Sequence, residues 1–489
     1  MQTQYEGRRP MKRVRWYDYI TINIYWLGLT TVSQANGLIQ PLLIQGFVGP
    51  EQQGTAYGNL RLYTLMVALL VQALAGLLSD RSTLRWGRRR PFILIGTLLN
   101  AACVIAMGAS PGYMFLFGAA VLSQIASNFA HGAEQGLIPD LVPEDRRGIF
   151  SGIKSVMDLL PVIIVALTIG QLIAAGQMWA GIGVAVGILL FAMFITMFVR
   201  EEPLRESPEP LDWQPFGRLV AMTLVFLVVI LGLGGIVNWI GRLLSGVSSL
   251  STLLAVMGVA GLLAMTGAVV VGVWAGARIS IGSEGARRYP SFSWWVINRL
   301  AFLVGATNIS AFAVYFLQAR LGMEGEEAAG PASQLMMAVG ILILLCALPS
   351  GWLADRIGRK KLVALSGLVA ALGTLILLLS PSMTVIYVGG CLIGAATGTF
   401  FTTNWALGTD IVPKDEAGKY LGISNLAGAG AGAVGAYIGG PIADYFTARA
   451  PQSPEIGYLL IFAIYAGLFL LSTLVLTRVR GGFGDEVPA

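Results

Sequence analysis

The chain has 489 residues, of which 55% are hydrophobic and only 12% charged, with a mean hydropathy of +0.72 and a formal net charge of +6. A soluble domain carries roughly 25% charged residues, so the composition excludes a soluble enzyme, a disordered segment and a disulfide scaffold, and points to a multi-pass membrane protein. The single histidine and the three cysteines (Cys103, Cys346 and Cys391, each inside an apolar run) leave neither a disulfide framework nor a metal set, and no cofactor is expected.

A helix crossing the hydrocarbon core needs roughly 20 predominantly apolar residues. Such runs lie at about 18–47, 56–79, 91–109, 112–139, 149–174 and 178–199, then at about 218–242 and 250–277, then at about 293–319, 332–354, 361–380, 384–409, 419–442 and 457–477. The basic stretch before the first run does not read as a cleavable leader, because the run that follows is long enough to span. The expectation is an all-α polytopic protein with fourteen spans. Its parts are an N-terminal six-helix bundle (1–200), a linker (201–217), two inserted helices (218–277), a second linker (278–292), and a C-terminal six-helix bundle with its tail (293–489). With that alternation, 26 of the 32 Lys and Arg residues fall on one side, including Arg8, Arg9, Lys12, Arg13, Arg205, Lys414, Lys419 and Arg480. Only Arg242, Arg320 and Arg449 fall opposite, while Arg61, Lys154 and Arg299 lie within spans. This asymmetry predicts both termini on the cytoplasmic side of the plasma membrane. Nucleic-acid binding by the basic loops would not explain the alternation.

Polar side chains are costly against lipid, so those inside spans mark interior faces or a solute path. The first span carries Ser33, Asn36 and Gln40 at i, i+3 and i+7, beside Gly37 and Pro41. The fourth carries Gln124, Asn128, His131 and Gln135 at i, i+4, i+7 and i+11, one helical face. The run at 293–319 adds Asn298, Arg299 and Asn308, and the run at 384–409 adds Asn404 and Trp405. Amides and an imidazole both donate and accept, which suits a hydroxyl-rich solute, and Trp26, Tyr315 and Trp405 are candidate flat apolar surfaces for it. The bland alternatives are helix–helix hydrogen bonding for the amides and packing for the rings. Ionisable groups in spans nominate Glu134 or Asp158 for proton coupling, tuned by His131. Lys154 and Asp158 are also spaced for an ion pair within one helix. The inserted helices hold almost no polar residue beyond Asn238, which reads as packing toward lipid.

The chain also repeats itself. Gly76-Leu77-Leu78-Ser79-Asp80-Arg81 matches Gly351-Trp352-Leu353-Ala354-Asp355-Arg356. Gly87-Arg88-Arg89-Arg90 matches Gly358-Arg359-Lys360-Lys361, and Asp140-Leu141-Val142-Pro143 matches Asp410-Ile411-Val412-Pro413. Asp145, Gly148, Gly152 and Ile153 then match Asp415, Gly418, Gly422 and Ile423. An ordered series of this kind is the parallel repeat of a two-bundle transporter.

The stretches 76–90 and 351–361 resemble the cytoplasmic loop motif of the major facilitator superfamily. The segment from Asp80-Arg81 through Arg85-Trp86-Gly87-Arg88-Arg89-Arg90-Pro91-Phe92-Ile93, together with Ala126-Ser127-Asn128 and Leu137-Ile138-Pro139-Asp140-Leu141, resembles its sucrose/proton symporter branch. The resemblance implies the major facilitator fold and a secondary transporter working by alternating access. It also implies a gating role for Gly76, Asp80, Arg81, Gly87, Arg88, Gly351, Asp355, Arg356, Gly358 and Arg359. Asp80 and Asp355 end helices, where a carboxylate opposes the C-terminal partial charge and needs a partner. Either the arginines just downstream or a helix N-terminus of the other bundle can supply it. Gly76 and Gly351 are expected to let neighbouring helices approach closely. Gln135 and Gln124 stand where that branch carries an arginine and an acidic residue, so its charged pair is missing. The two inserted helices resemble fourteen-helix drug exporters instead. The reading is a monomeric, proton-coupled carrier of a small, saccharide-like solute. An exporter of amphipathic drugs or lipids and a non-transporting assembly factor on the same fold are the alternatives.

Overall fold

The computed structural model describes residues 14–201, 213–412 and 417–479. The basic residues Arg8, Arg9, Lys12, Arg13, Arg205, Lys414 and Arg480, the repeat residue Asp415 and most of the first linker lie outside the described residues, as do the side chains at 417–423, 425 and 426. The described elements are helical throughout: α1 (Trp16–Thr21), α2 (Ile24–Val48), α3 (Gln53–Asp80), α4 (Arg90–Gly108), α5 (Tyr113–Glu134), α6 (Leu137–Leu141), α7 (Arg147–Ile164), α8 (Gly170–Ala174) and α9 (Met178–Thr196). They continue with α10 (Gln214–Leu243), α11 (Leu250–Arg288), α12 (Pro290–Ala311), α13 (Ala313–Leu321), α14 (Ala329–Ile357), α15 (Arg359–Leu379), α16 (Met383–Ile411), α17 (Ala417–Arg449) and α18 (Glu455–Val475).

Among the described residues, eleven helices are long and apolar enough to cross a membrane, or twelve if the pair α12–α13, bent by 56°, is one span. That falls short of the fourteen expected. Helix α2 fails the apolar test because Thr30, Thr31, Ser33, Gln34, Asn36, Gln40 and Gln45 dilute its hydropathy. Helix α17 is about half Gly and Ala, which leaves room for close approach, and the side chains of its first turns lie partly outside the described residues. Neither the bend at Phe312 nor the single π turn at Val165–Ile169 was expected.

The chain divides into two compact units. The first runs to Leu43 and resumes over Val67–Phe216; the second takes Ile44–Met66 and everything from Gly217. Helix α3 therefore begins in one unit and ends in the other.

In the first unit α4 packs on α5 and α9. The contact with α5 is backbone-close: a Cβ on Gly96 would lie 2.7 Å from the Ala126 carbonyl oxygen. Two buried hydrogen bonds are set into this layer, Tyr25 with Thr97 at 2.6 Å and Ser123 to Asn100 at 2.7 Å.

In the second unit α15 packs on α16 and α18. These elements are the repeat counterparts of α4, α5 and α9, so each unit builds the same three-helix core. The closest approach there is Gly373 against Gly389, and Phe302 stacks on Phe400 with ring centroids 3.7 Å apart. Helix α11 packs on α12, α17 and α18. Helix α10 buries Met222, Phe226, Ile230, Gly234, Val237 and Gly241 along one side and leaves Leu224, Val228, Ile236, Trp239 and Leu243 exposed. That exposed side of α10 is apolar.

Candidate functional site

The first unit gathers six side chains from three helices. On α7, Lys154 Nζ lies 3.0 Å from Asp158 Oδ2, the intrahelical pair that the spacing allowed. The same ammonium sits over the Trp26 ring of α2, 3.8 Å from its centroid. Thr30, one turn along α2, donates to Asp158 Oδ1 at 3.2 Å. On α5, the His131 ring meets Trp26 edge-on at 4.9 Å, and Gln135 Nε2 lies 3.1 Å from His131 Nε2. A hydrogen bond, a cation–π contact and an edge contact thus join α2, α5 and α7 at one place.

Beside His131, Glu134 is 1% exposed, and neither carboxylate oxygen has a hydrogen-bond partner among the described residues. Burial without hydrogen bonds is expensive for a polar group and more so for a charge.

The rest of the expected row is less concerted. Asn128 Nδ2 donates to the Gln124 carbonyl at 2.9 Å and to its Oε1 at 3.3 Å, a bond within α5. Gln135 is the exposed C-cap of α5, so the helical face stops one residue before it. On α2, Ser33 is exposed, Asn36 leaves its Oδ1 unpaired, and Gln40 Nε2 approaches Met107 Sδ at 3.7 Å. Thr30 was missed, though it falls on the same α2 face as Trp26, Ser33 and Gln40; extending that stripe by one turn would have found it.

In the second unit Asn298 and Asn404 are fully buried and bonded to each other, Asn404 Nδ2 to Asn298 Oδ1 at 2.7 Å. Asn298 Nδ2 also donates to the Ser472 carbonyl and hydroxyl, both at 2.8 Å. Arg299 donates to Asn404 Oδ1 at 3.1 Å and lies 5.4 Å from the centroid of the exposed Trp405 ring. Asn308 belongs elsewhere: it donates to the carbonyls of Val304 at 2.8 Å and Ala431 at 3.0 Å, tying α12 to α17. Tyr315 is buried in an aromatic cluster with Tyr57 and Tyr458, which makes it packing rather than solute surface.

Both repeated loops build the same charged device. Arg89 Nη2 lies 2.5 Å from Asp80 Oδ1, its Nε donates to Asp140 Oδ2 at 2.7 Å, and its Nη1 reaches Ser79 Oγ and the Ala133 carbonyl. Arg88 joins the same Asp140 oxygen. In the second copy Arg359 binds Asp410 at 2.6 Å and Asp355 at 3.7 Å, while Arg356 stacks on Trp352. Asp80 and Asp355 are thus met by arginines just downstream. Gly87 and Gly358, matched in the repeat, both take positive φ (116° and 100°) where the chain enters α4 and α15, a conformation that disfavours any Cβ. Gly76 and Gly351 do not set close approaches: a Cβ on either meets nothing nearer than 3.7 Å. The tight contact is at Gly132, where a Cβ would lie 2.4 Å from the Gln72 carbonyl oxygen.

Ionisable and amide groups buried inside apolar helices, in two units with the same core, mark a multi-pass membrane protein with polar interior faces. The sequence profile of the Major Facilitator Superfamily matches residues 24–316 and 294–486, and the chain belongs to that family. It is similar to the minor myo-inositol transporter IolF of Bacillus subtilis, 29% identical over 136 residues (27% of this chain, 29% of that protein). It is also similar to the sucrose transport protein SUC3 of Arabidopsis thaliana, 33% identical over 104 residues (17% of this chain, 18% of that protein). The match thus spans less than a third of the length of these relatives. The crystal structure of the nucleoside transporter NupG superposes with a TM-score of 0.66 at 11% identity, covering 94% of this chain and 99% of that one. That of the peptide transporter POT in complex with sulfate gives 0.65 at 17%, covering 96% of each chain. These last two likenesses show the fold.

Proposed function

We propose that this transporter carries a small, saccharide-like polar solute across the plasma membrane by proton-coupled alternating access, with both termini cytoplasmic. The observation that carries the reading is the α2–α5–α7 cluster, in which Glu134 is buried with no hydrogen-bond partner among the described residues, beside His131 and close to the Lys154–Asp158 pair. A carboxylate that nothing satisfies when charged favours binding a proton. Proton uptake at Glu134, with Lys154 retaining Asp158, couples ion to solute because a bound proton changes which state of the carrier is favoured. In the first unit Trp26 offers a flat apolar surface and Asn36, Gln124, Gln135 and Gln40 offer amides, the pairing a sugar site uses; in the second, Trp405 offers a ring beside Asn404 and Arg299. Two relatives named for myo-inositol and sucrose transport support the solute class. Asp80, Arg88, Arg89 and Asp140, with Arg359, Asp355 and Asp410, serve as the hinge-side locks of the two units.

The test is uptake into proteoliposomes of the purified protein under an imposed inward proton gradient, with radiolabelled myo-inositol, sucrose and methyl α-glucoside. Gradient-driven accumulation is expected, and Glu134→Gln should abolish it while sparing gradient-free counterflow. Accumulation indifferent to the gradient, or a Glu134→Gln and Asp158→Asn pair that both accumulate like wild type, defeats the coupling. Net extrusion of the solute places the protein among exporters.

A further inference from the structure

In the second unit Arg299 stands in the middle of α12, inside an apolar span. Among the described residues its guanidinium has no carboxylate within ion-pairing distance. Of the five N–H donors such a group carries, one is engaged, by Asn404 Oδ1 at 3.1 Å, and the buried Nε has no acceptor. The described acidic residues of that unit sit near helix ends or in loops, and four of them are already occupied: Asp355 and Asp410 by Arg359, Glu455 by Arg320, and Asp444 by the amides of Gly54 and Thr55. A desolvated, unbalanced guanidinium costs several kcal/mol in a low-dielectric setting. A helix retains such a group when something else brings the negative charge.

The surroundings hold Arg299 ready for that charge. The Asn404 amide is held because its Nδ2 donates to Asn298 Oδ1 at 2.7 Å, and its backbone is fixed where its main-chain carbonyl accepts from Trp295 Nε1 at 2.9 Å. Asn298 is in turn fixed on Ser472. The fork is therefore positioned by a buried chain of amides, and among the described residues its other donors meet no acceptor. Trp405, 41% exposed, lies alongside the guanidinium. A guanidinium fork matches a carboxylate in geometry and charge, and an aromatic face beside it suits the apolar side of a pyranose ring.

We infer that the solute carries a carboxylate, that Arg299 binds this group, and that the cargo class is acidic sugars such as hexuronates rather than neutral ones. The inference rests on the saccharide-like reading above but not on the proton coupling. It is tested by equilibrium binding to the full-length protein in detergent, where no gradient acts. A failure of coupling therefore leaves this result untouched, and a failure here leaves the coupling assay to stand alone. The probes are sodium D-glucuronate, sodium D-galacturonate, methyl D-glucuronate ester, D-glucose and myo-inositol, read by competition and by ligand-induced thermal stabilisation. One or both acids should bind at least about tenfold more tightly than the ester, the discrimination expected of one charge-assisted contact. Arg299→Gln should collapse the acid-to-ester ratio to about 1; Arg299→Lys should keep part of it. Trp405→Ala should weaken acid and ester alike. A purely structural Arg299, tying α12 to α16, would shift the melting temperature of the unliganded Arg299→Gln protein and leave the ratio unmoved. Neutral sugars binding as well as the acids, no binding by either acid, or a ratio unchanged in Arg299→Gln overturns the inference.

Discussion

Replacing the loop arginine of each repeat by alanine should have unequal consequences, although the two sequences are near copies. The Arg89 side chain is 4% exposed and Asp140 9%, so Arg89→Ala opens a buried ion pair and removes one donor each from the Ser79 hydroxyl and the Ala133 carbonyl, which keep their bonds to Gly76 and Gly136. Breaking a buried pair costs about 3–5 kcal/mol. Arg88 still holds Asp140 and water still reaches Asp80, which is 40% exposed, so the lower end, about 3 kcal/mol, applies. The Arg359 pair is far wetter: 34% exposed for Arg359, 50% for Asp410 and 72% for Asp355. Exposed pairs contribute about 0–1 kcal/mol. At roughly 2–4 °C per kcal/mol for a unit of this size, Arg89→Ala should lower the melting temperature by roughly 6–12 °C, and Arg359→Ala by roughly 4 °C at most. Thermal unfolding of the two variants in the same detergent reads the difference. Equal shifts, or a larger one for Arg359→Ala, would refute the argument that burial rather than motif membership sets the contribution.

The glycines that open α4 and α15 should differ in the same sense. Gly358→Ala meets only the penalty of its positive φ, roughly 1–3 kcal/mol, because no atom lies within 4 Å of the new Cβ. Gly87→Ala adds a clash 2.6 Å from Glu201 Oε2, so its melting temperature should fall further. At the start of α3, Asp444 accepts the amide N–H groups of Gly54 at 2.8 Å and Thr55 at 2.6 Å. Asp444→Ala leaves both without that acceptor, at about 1–2 kcal/mol. Amide exchange of residues 53–56, followed by mass spectrometry, should accelerate several-fold in Asp444→Ala and less in Asp444→Asn, which keeps one acceptor oxygen.

The helices and the internal repeat were legible because both rest on signals that sum over many residues: apolar run length and an ordered series of matches. Lys154 and Asp158 were legible for a local reason, since i,i+4 spacing alone brings them together. What three arginines in a row would do was not. Arg88, Arg89 and Arg90 are equivalent in sequence, and only the packed α3, α4 and α5 choose Arg89 as the central clamp. Gly136 makes that choice possible, because a Cβ there would occupy the position of the Arg89 guanidinium. The bend at Phe312 leaves no local mark, since neither Gly nor Pro stands there. The α5 stripe was read one residue too far, because the polar period continues to Gln135 while the helix ends at Glu134. The end itself was signalled by Gly136 and Pro139 just beyond.

Glu201 gives the first unit an unexpected mechanical property. Its carboxylate receives the amide N–H groups of Arg89 at 2.8 Å and Arg90 at 3.2 Å, so the backbone that carries the central clamp is tethered to the chain's exit toward the linker. Tension applied beyond residue 201 arrives first at that tether and is handed on to the guanidinium holding Asp80 and Asp140. A tag or fused domain spliced directly after Glu201 would pull on the lock itself.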